Sequence, residues 1–135
     1  METVATRTIH IAVVEDNVFF NHLLSRQLEY FTNELGFEKK CKFDIKSYTD
    51  TNDFMRSVRA DTDIIFLDFY LNNGVTAKSL IDKIKNKCPG CKIVVLSQTK
   101  NFETSEASIT QGATEFILKD SNALPKSCFF VEDIM

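Results

Sequence analysis

The sequence predicts an α/β protein, a three-layer α/β/α sandwich around a five-stranded parallel sheet. Three observations lead there. Short apolar runs alternate with stretches of helical period along the 135 residues, and together they make five βα units. Three of the runs, Ile11–Val14, Ile64–Leu67 and Ile93–Leu96, are four uninterrupted apolar residues, the pattern of strands covered on both faces. Only four glycines and two prolines occur, against a combined average of about 12%, which excludes collagen-like and linker-like chains.

Each element has its own signal. Ile9–Val14 is the first strand. It feeds a helix from Val18 to Phe31, where Phe20, Leu23, Leu24, Leu28 and Phe31 recur at helical spacing. Asp16 or Asn17 can cap that helix, and Gly36 can end the segment. Cys41, Phe43 and Ile45 alternate with Lys42, Asp44 and Lys46, a strand with one wet face. A shorter helix follows at about Asp53–Arg59, with Asp50 or Thr51 as its cap. Ile64–Leu67 is the third strand. Thr76–Lys87 places Leu80, Ile81 and Ile84 on one helical face, and Ile93–Leu96 is the fourth strand. A polar helix at about Glu103–Gln111 stops at Gly112. Phe116–Leu118 is the last strand, and a helix near Asn122–Ile134 closes the chain.

The first, third and fourth strands are the most hydrophobic and belong at the centre; the alternating second strand belongs at an edge. With right-handed crossovers, the flavodoxin-like order 2-1-3-4-5 meets those demands. That order sets a topological switch beside strand one and places ligands at the carboxyl ends of the strands.

Composition narrows the setting. Apolar residues make up 44% and charged residues 26%, the balance of a globular protein, and the expectation is a single domain over residues 1–135, either a stand-alone unit or a trimmed piece of something longer. A net charge of −3 lacks the electrostatic footprint of a nucleic-acid binder. No apolar run approaches the roughly 20 residues of a membrane span. METVATRTIH has no apolar stretch of a secretory signal, so the expected location is cytoplasmic. Cys41, Cys88, Cys91 and Cys128 agree with a reducing compartment. Cys88-Pro-Gly-Cys91 matches C-x-x-C, but it follows a helix and precedes a strand, so Pro-Gly reads as a turn. A zinc site would need a second pair, which Cys41 and Cys128 do not form. His10, in a strand run, and His22, among helical apolar positions, read as packed or solvated rather than as phosphocarriers.

The informative residues are those that follow the strands. Glu15 and Asp16 follow the first, Asp68 the third, Ser97 the fourth and Lys119 the fifth. All fall at one edge of the sheet. Three carboxylates so close raise one another's pKa, and a divalent cation or the Lys119 ammonium would relieve them. Hard oxygen ligands with open positions suit Mg²⁺, which keeps waters and takes phosphate oxygens. Asp68 could then serve as a nucleophile toward phosphorus, with Ser97 and Lys119 as partners for the phosphate oxygens. Alone, each residue has a plain reading: a helix cap, a turn residue, a solvated charge. Their joint order carries the inference.

With these residues in that order, the chain resembles the response-regulator receiver domain of two-component and phosphorelay signalling along nearly its whole length. The resemblance implies that Glu15, Asp16, Asp68 and the backbone carbonyl of Tyr70 hold Mg²⁺. It implies that Asp68 accepts a phosphoryl group from a histidine kinase or phosphotransfer protein. Ser97 and Lys119 would contact that group, and Phe116, three positions before the lysine, would change rotamer as the switch. The readout surface would be the fourth helix, fifth strand and fifth helix, offered to a downstream target. The chain would not be an enzyme beyond self-catalysed phosphoryl acceptance and slow autodephosphorylation.

Some positions depart from the family pattern. Asp120 follows Lys119 where the family usually has proline. A cis bond before a non-proline residue costs about 2.5–4 kcal/mol, so a trans bond is expected. Gln98 stands where a small residue is common and Asn72 where proline is frequent. Tyr70 and Thr99 are expected to flank the pocket, where they could gate hydrolytic water. Other readings compete. A phosphorylation-independent pseudo-receiver would use the same scaffold for binding alone. A haloacid-dehalogenase-like phosphatase wants a second aspartate two residues after the nucleophile, and Tyr70 stands there. A flavin carrier would need a hydroxyl-rich phosphate loop where Glu15 and Asp16 lie.

Overall fold

The computed structural model describes residues 6–99 and 102–135, with side chains omitted at 102–104. Residues 1–5, on which the expected absence of a secretory signal partly rests, and the side chains of Glu103 and Thr104 lie outside the described residues. Strands β1 (Thr8–Val14), β2 (Lys42–Tyr48), β3 (Ile64–Asp68), β4 (Lys92–Ser97) and β5 (Glu115–Leu118) alternate with helices α1 (Val18–Lys39), α2 (Thr51–Ser57), α3 (Ala77–Lys87), α4 (Phe102–Gln111) and α5 (Ala123–Asp133). The sheet runs β2-β1-β3-β4-β5 with every neighbouring pair parallel. This is the flavodoxin-like order expected from the hydrophobicity of the strands.

Alternation along the strands builds two cores. Ala12, Val14, Ile65, Leu67, Ile93 and Val95 face Phe54 of α2 and Leu80, Ile81 and Ile84 of α3. Ile11, Val13, Ile64, Phe66, Val94 and Leu96 face Leu24, Leu28 and Leu35 of α1 and Cys128 and Val131 of α5. β3 is buried at every residue, whereas no residue of the edge strand β2 is fully buried. Burying a branched aliphatic side chain contributes about 1.5–3 kcal/mol, so the central strands carry most of the stabilisation.

Helix caps agree with the local sequence. Asn17 Oδ1 accepts from Phe20 N–H at 2.9 Å to start α1, and Asp50 accepts from Asp53 N–H at 2.9 Å to start α2. The expectation that Gly36 ends the first helical segment is corrected: α1 continues to Lys39, and Lys40 closes it with φ 56°. Gly36 serves a close approach instead. A Cβ there would stand 2.7 Å from the Cys41 carbonyl oxygen, where the chain turns back toward β2. Helix α2 begins and ends two residues earlier than expected, because Asp50 takes the cap, and α5 ends at Asp133. The Cys88–Cys91 segment is a turn, and all four cysteines are free thiols. His22 is exposed; the His10 ring is partly buried beside Asp44, at 3.3 Å, and Asp61, at 3.8 Å. No described helix is long and apolar enough to cross a membrane.

Candidate functional site: an acidic pocket at the carboxyl edge of the sheet

Parallel pairing brings the ends of β1, β3, β4 and β5 to one edge, and the residues after them form a pocket of about 380 Å³. Asp16, Asn17, Asp68, Tyr70, Asn72, Gln98, Thr99 and Lys119 line it. Glu15, Asp16 and Asp68 each offer a carboxylate oxygen, and the three oxygens lie within 4.8 Å of one another. Glu15 and Asp68 are buried, at 2% and 6% exposure, while Asp16 is partly open. Backbone contacts fix the base of the pocket. Glu15 N–H donates to the Tyr48 carbonyl at 3.0 Å, and the Asn21 amide donates to the carbonyls of Glu15 and Tyr48 at 3.0 Å each.

Lys119 supplies the nearest positive charge. Its ammonium donates to Asp68 Oδ1 at 3.0 Å and to Glu15 Oε1, and its side chain is 7% exposed. It also lies 4.6 Å from the centroid of the Phe20 ring, whose π face favours a cation. One ammonium faces three carboxyl groups. Burial, with the Asp68 carboxyl alongside, pushes Glu15 up to about 8 against the opposing pull of Lys119. A buried, under-neutralised cluster of hard oxygen donors that opens onto a pocket fits a divalent cation such as Mg²⁺. Glu15, Asp16 and Asp68 are the side chains that could hold it.

Not every candidate enters the pocket. Ser97 ends β4 one residue past Leu96, the register partner of Asp68, but is fully buried, and its hydroxyl accepts from Thr99 N–H at 3.3 Å. It is not among the lining residues, whereas its neighbours Gln98 and Thr99 are. The Tyr70 ring is half exposed at the rim and meets Phe69 edge-on at 4.7 Å; its backbone bridges Thr76. Phe116 is half-buried on β5 and packs against the core shared by α2 and α3. The Lys119–Asp120 bond is trans, as expected where proline is absent. Sequence reading assigned Asn17 only to capping and Phe20 only to the core. Their positions one and four residues after Asp16 were the available signal.

Comparison with known proteins agrees with this geometry. The response regulator receiver domain family model matches residues 11–125, and the chain belongs to that family, whose members act in two-component signalling. A segment of 61 residues is 39% identical to the nitrogen assimilation regulatory protein NtrX of Azorhizobium caulinodans. It covers 44% of this chain but 13% of that relative, so the chain spans a small part of its length. Among solved structures, a CheY-like receiver domain protein from Methanospirillum hungatei has a TM-score of 0.71 at 17% identity, covering 96% of this chain and 94% of that one. A response regulator from Thermotoga maritima scores 0.70 at 22% identity, covering 96% and 98%. A Burkholderia pseudomallei response regulator, solved with a phosphorylated aspartic acid, calcium ion and citrate, scores 0.66 at 20% identity, covering 93% and 72%. At these identities the likeness is one of fold.

Proposed function

We propose that this chain is a phosphorelay receiver in which Asp68 takes a phosphoryl group from the phosphohistidine of a histidine kinase or phosphotransfer protein. The observation that carries the reading is the convergence of Glu15, Asp16 and Asp68 within 4.8 Å beside the Lys119 ammonium, in an open pocket. An Asp68 oxygen attacks phosphorus as the P–N bond to the imidazole breaks. The electron pair returns to the ring nitrogen, which then takes a proton. The transition state is loose and anionic, so positioning and charge neutralisation are the work required. Lys119, 3.0 Å from Asp68, is placed to neutralise a phosphoryl oxygen. A Mg²⁺ held by Glu15, Asp16, Asp68 and the Tyr70 carbonyl would add Lewis-acid stabilisation of those oxygens. The phosphorylated aspartic acid and calcium ion in the Burkholderia regulator support both parts.

The acyl phosphate then draws the Ser97 hydroxyl toward itself and leaves room for Phe116 to turn inward, a packing switch driven by charge-assisted hydrogen bonds. Its output is the α4–β5–α5 face, where Ile109 and Phe129 are exposed at 45% and 56% and available to a downstream partner. Catalysis is confined to phosphoryl acceptance and slow autodephosphorylation, in a cytoplasmic setting. Intact-mass measurement with acetyl phosphate tests the reading: one phosphoryl increment with Mg²⁺, none with chelator and none in Asp68→Asn. An unchanged increment in Asp68→Asn would refute the acceptor. Absence of any increment, with fluoroberyllate also failing to bind, would favour the phosphorylation-independent scaffold.

A further inference from the structure

Five of the nine large hydrophobic side chains exposed among the described residues lie on one helix, α1. Phe19 is 74% exposed, Leu23 39%, Tyr30 70% and Phe37 89%. At about 100° per residue, Phe19, Leu23, Arg26, Tyr30 and Phe37 fall within about 60° of one another, a stripe about 27 Å long. Their steps of four, three, four and seven residues follow a coiled-coil seam. The core of the same helix uses different residues, Leu24, Leu28 and Leu35, so the stripe is not needed to hold α1 on the sheet.

The stripe is also self-complementary when reversed. About the level of Leu28, Phe19 and Phe37 lie nine residues to either side, and Arg26 and Tyr30 lie two. His22 and Glu34 lie six to either side, and all of these except Leu28 are exposed. In an antiparallel pair related by a two-fold axis at that level, each Phe19 meets a Phe37 and each Arg26 meets a Tyr30 ring. Each His22 then meets a Glu34. Arg26 makes no ion pair among the described residues, so its guanidinium is available for such stacking. Such a contact is isologous and closes at two copies.

We propose that the exposed face of α1 pairs antiparallel with the same face of a second copy of this chain. Area sets the strength. Aromatic side chains bury about 150–250 Å² each, so three at these exposures offer roughly 350–600 Å² per copy. Two copies reach roughly 700–1,200 Å², close to the ~1,000 Å² that a specific interface needs. The dimer is therefore weak and concentration-dependent. It is separate from the α4–β5–α5 face and does not rest on Asp68 chemistry.

Sedimentation equilibrium of the full chain tests this. The wild type should pass from monomer to dimer as concentration rises into the hundreds of micromolar, while Phe37→Glu remains a monomer with an unchanged unfolding midpoint. Register is tested by Phe19→Cys/Phe37→Cys under mild oxidation, where peptide mapping should find cross-links joining position 19 of one copy to 37 of the other. Links joining like positions, or a wild type monomeric throughout that range, overturn the proposal. So does a monomer whose phosphotransfer from a histidine donor falls in Phe37→Glu, because the stripe then belongs to the donor.

Discussion

Lys119 reaches across the end of β4 to donate to Asp68 Oδ1 at 3.0 Å. The strands that carry the two residues are separated by a third, so their backbones stand about 9–10 Å apart. The long lysine side chain closes that gap and sets its ammonium over Phe20.

Removing the ammonium should expose what it does. In Lys119→Met, Glu15 and Asp68 share a buried site without a cation, and one must hold a proton. The rate of phosphoryl acceptance is expected to fall about 100-fold, the usual loss when a transition-state donor is removed. Initial rates of mass gain with acetyl phosphate read this directly.

Glu15 ties stability to pH. Its pKa is raised from the usual 4.5 to about 8, so between those values the folded chain holds a proton that the unfolded chain has released. Stability contributed by this group is complete below about 4.5 and is lost as pH rises toward 8, at up to about 1.4 kcal/mol per pH unit. Urea titrations in chelator should show that decline. Glu15→Gln, which cannot ionise, should flatten it and be the more stable form at pH 8.

Gly36→Ala should destabilise the chain. Alanine favours an α-helix by about 1 kcal/mol over glycine. Here, however, its Cβ would meet the Cys41 carbonyl oxygen at 2.7 Å, and backbone must move. Overpacking of this kind costs about 1–3 kcal/mol, so the net effect is a lower unfolding midpoint in urea. A raised midpoint would show that the crossing from α1 to β2 yields easily.

The thiols should differ in reactivity. Burial and the adjacent Cys88 thiol push Cys91 up to about 12, and burial pushes Cys128 up to about 11. Cys41 is the least buried of the four. Native alkylation at pH 8, read by peptide mass, should label Cys41 first and leave Cys88, Cys91 and Cys128 until the chain unfolds.

Tyr70 should govern phosphoryl lifetime. Its half-exposed ring stands at the rim of the acidic pocket. Tyr70→Ala opens that rim to water, and hydrolysis of the acyl phosphate should speed up several-fold. Unchanged dephosphorylation would remove the ring from any gating role.

The sheet was legible because β1, β3 and β4 carry four-residue apolar runs that only a doubly covered strand accommodates, and β2 alternates as an edge strand does. The pocket residues were legible as strand-end positions because chain order and sheet order together fix which ends converge. Other features depend on the third dimension. Gly36 read as a helix stop, since nothing local reveals that the Cys41 carbonyl passes beside it. Phe20 read as core, and it is half-buried, yet its ring face also carries Lys119. On α4 the apolar Ile109 faces solvent while Ser108 is buried, a reversal that no hydrophobic period announces.

The distance in sequence between Glu15 and Lys119 has a consequence for synthesis. Glu15 leaves the ribosome 104 residues ahead of Lys119, so a partly made chain carries Glu15, Asp16 and Asp68 as solvated carboxylates. Their built-in counter-charge becomes available only once the residue after β5 has joined them. The far end of the chain thus delivers the charge that lets carboxylates near its start be buried together.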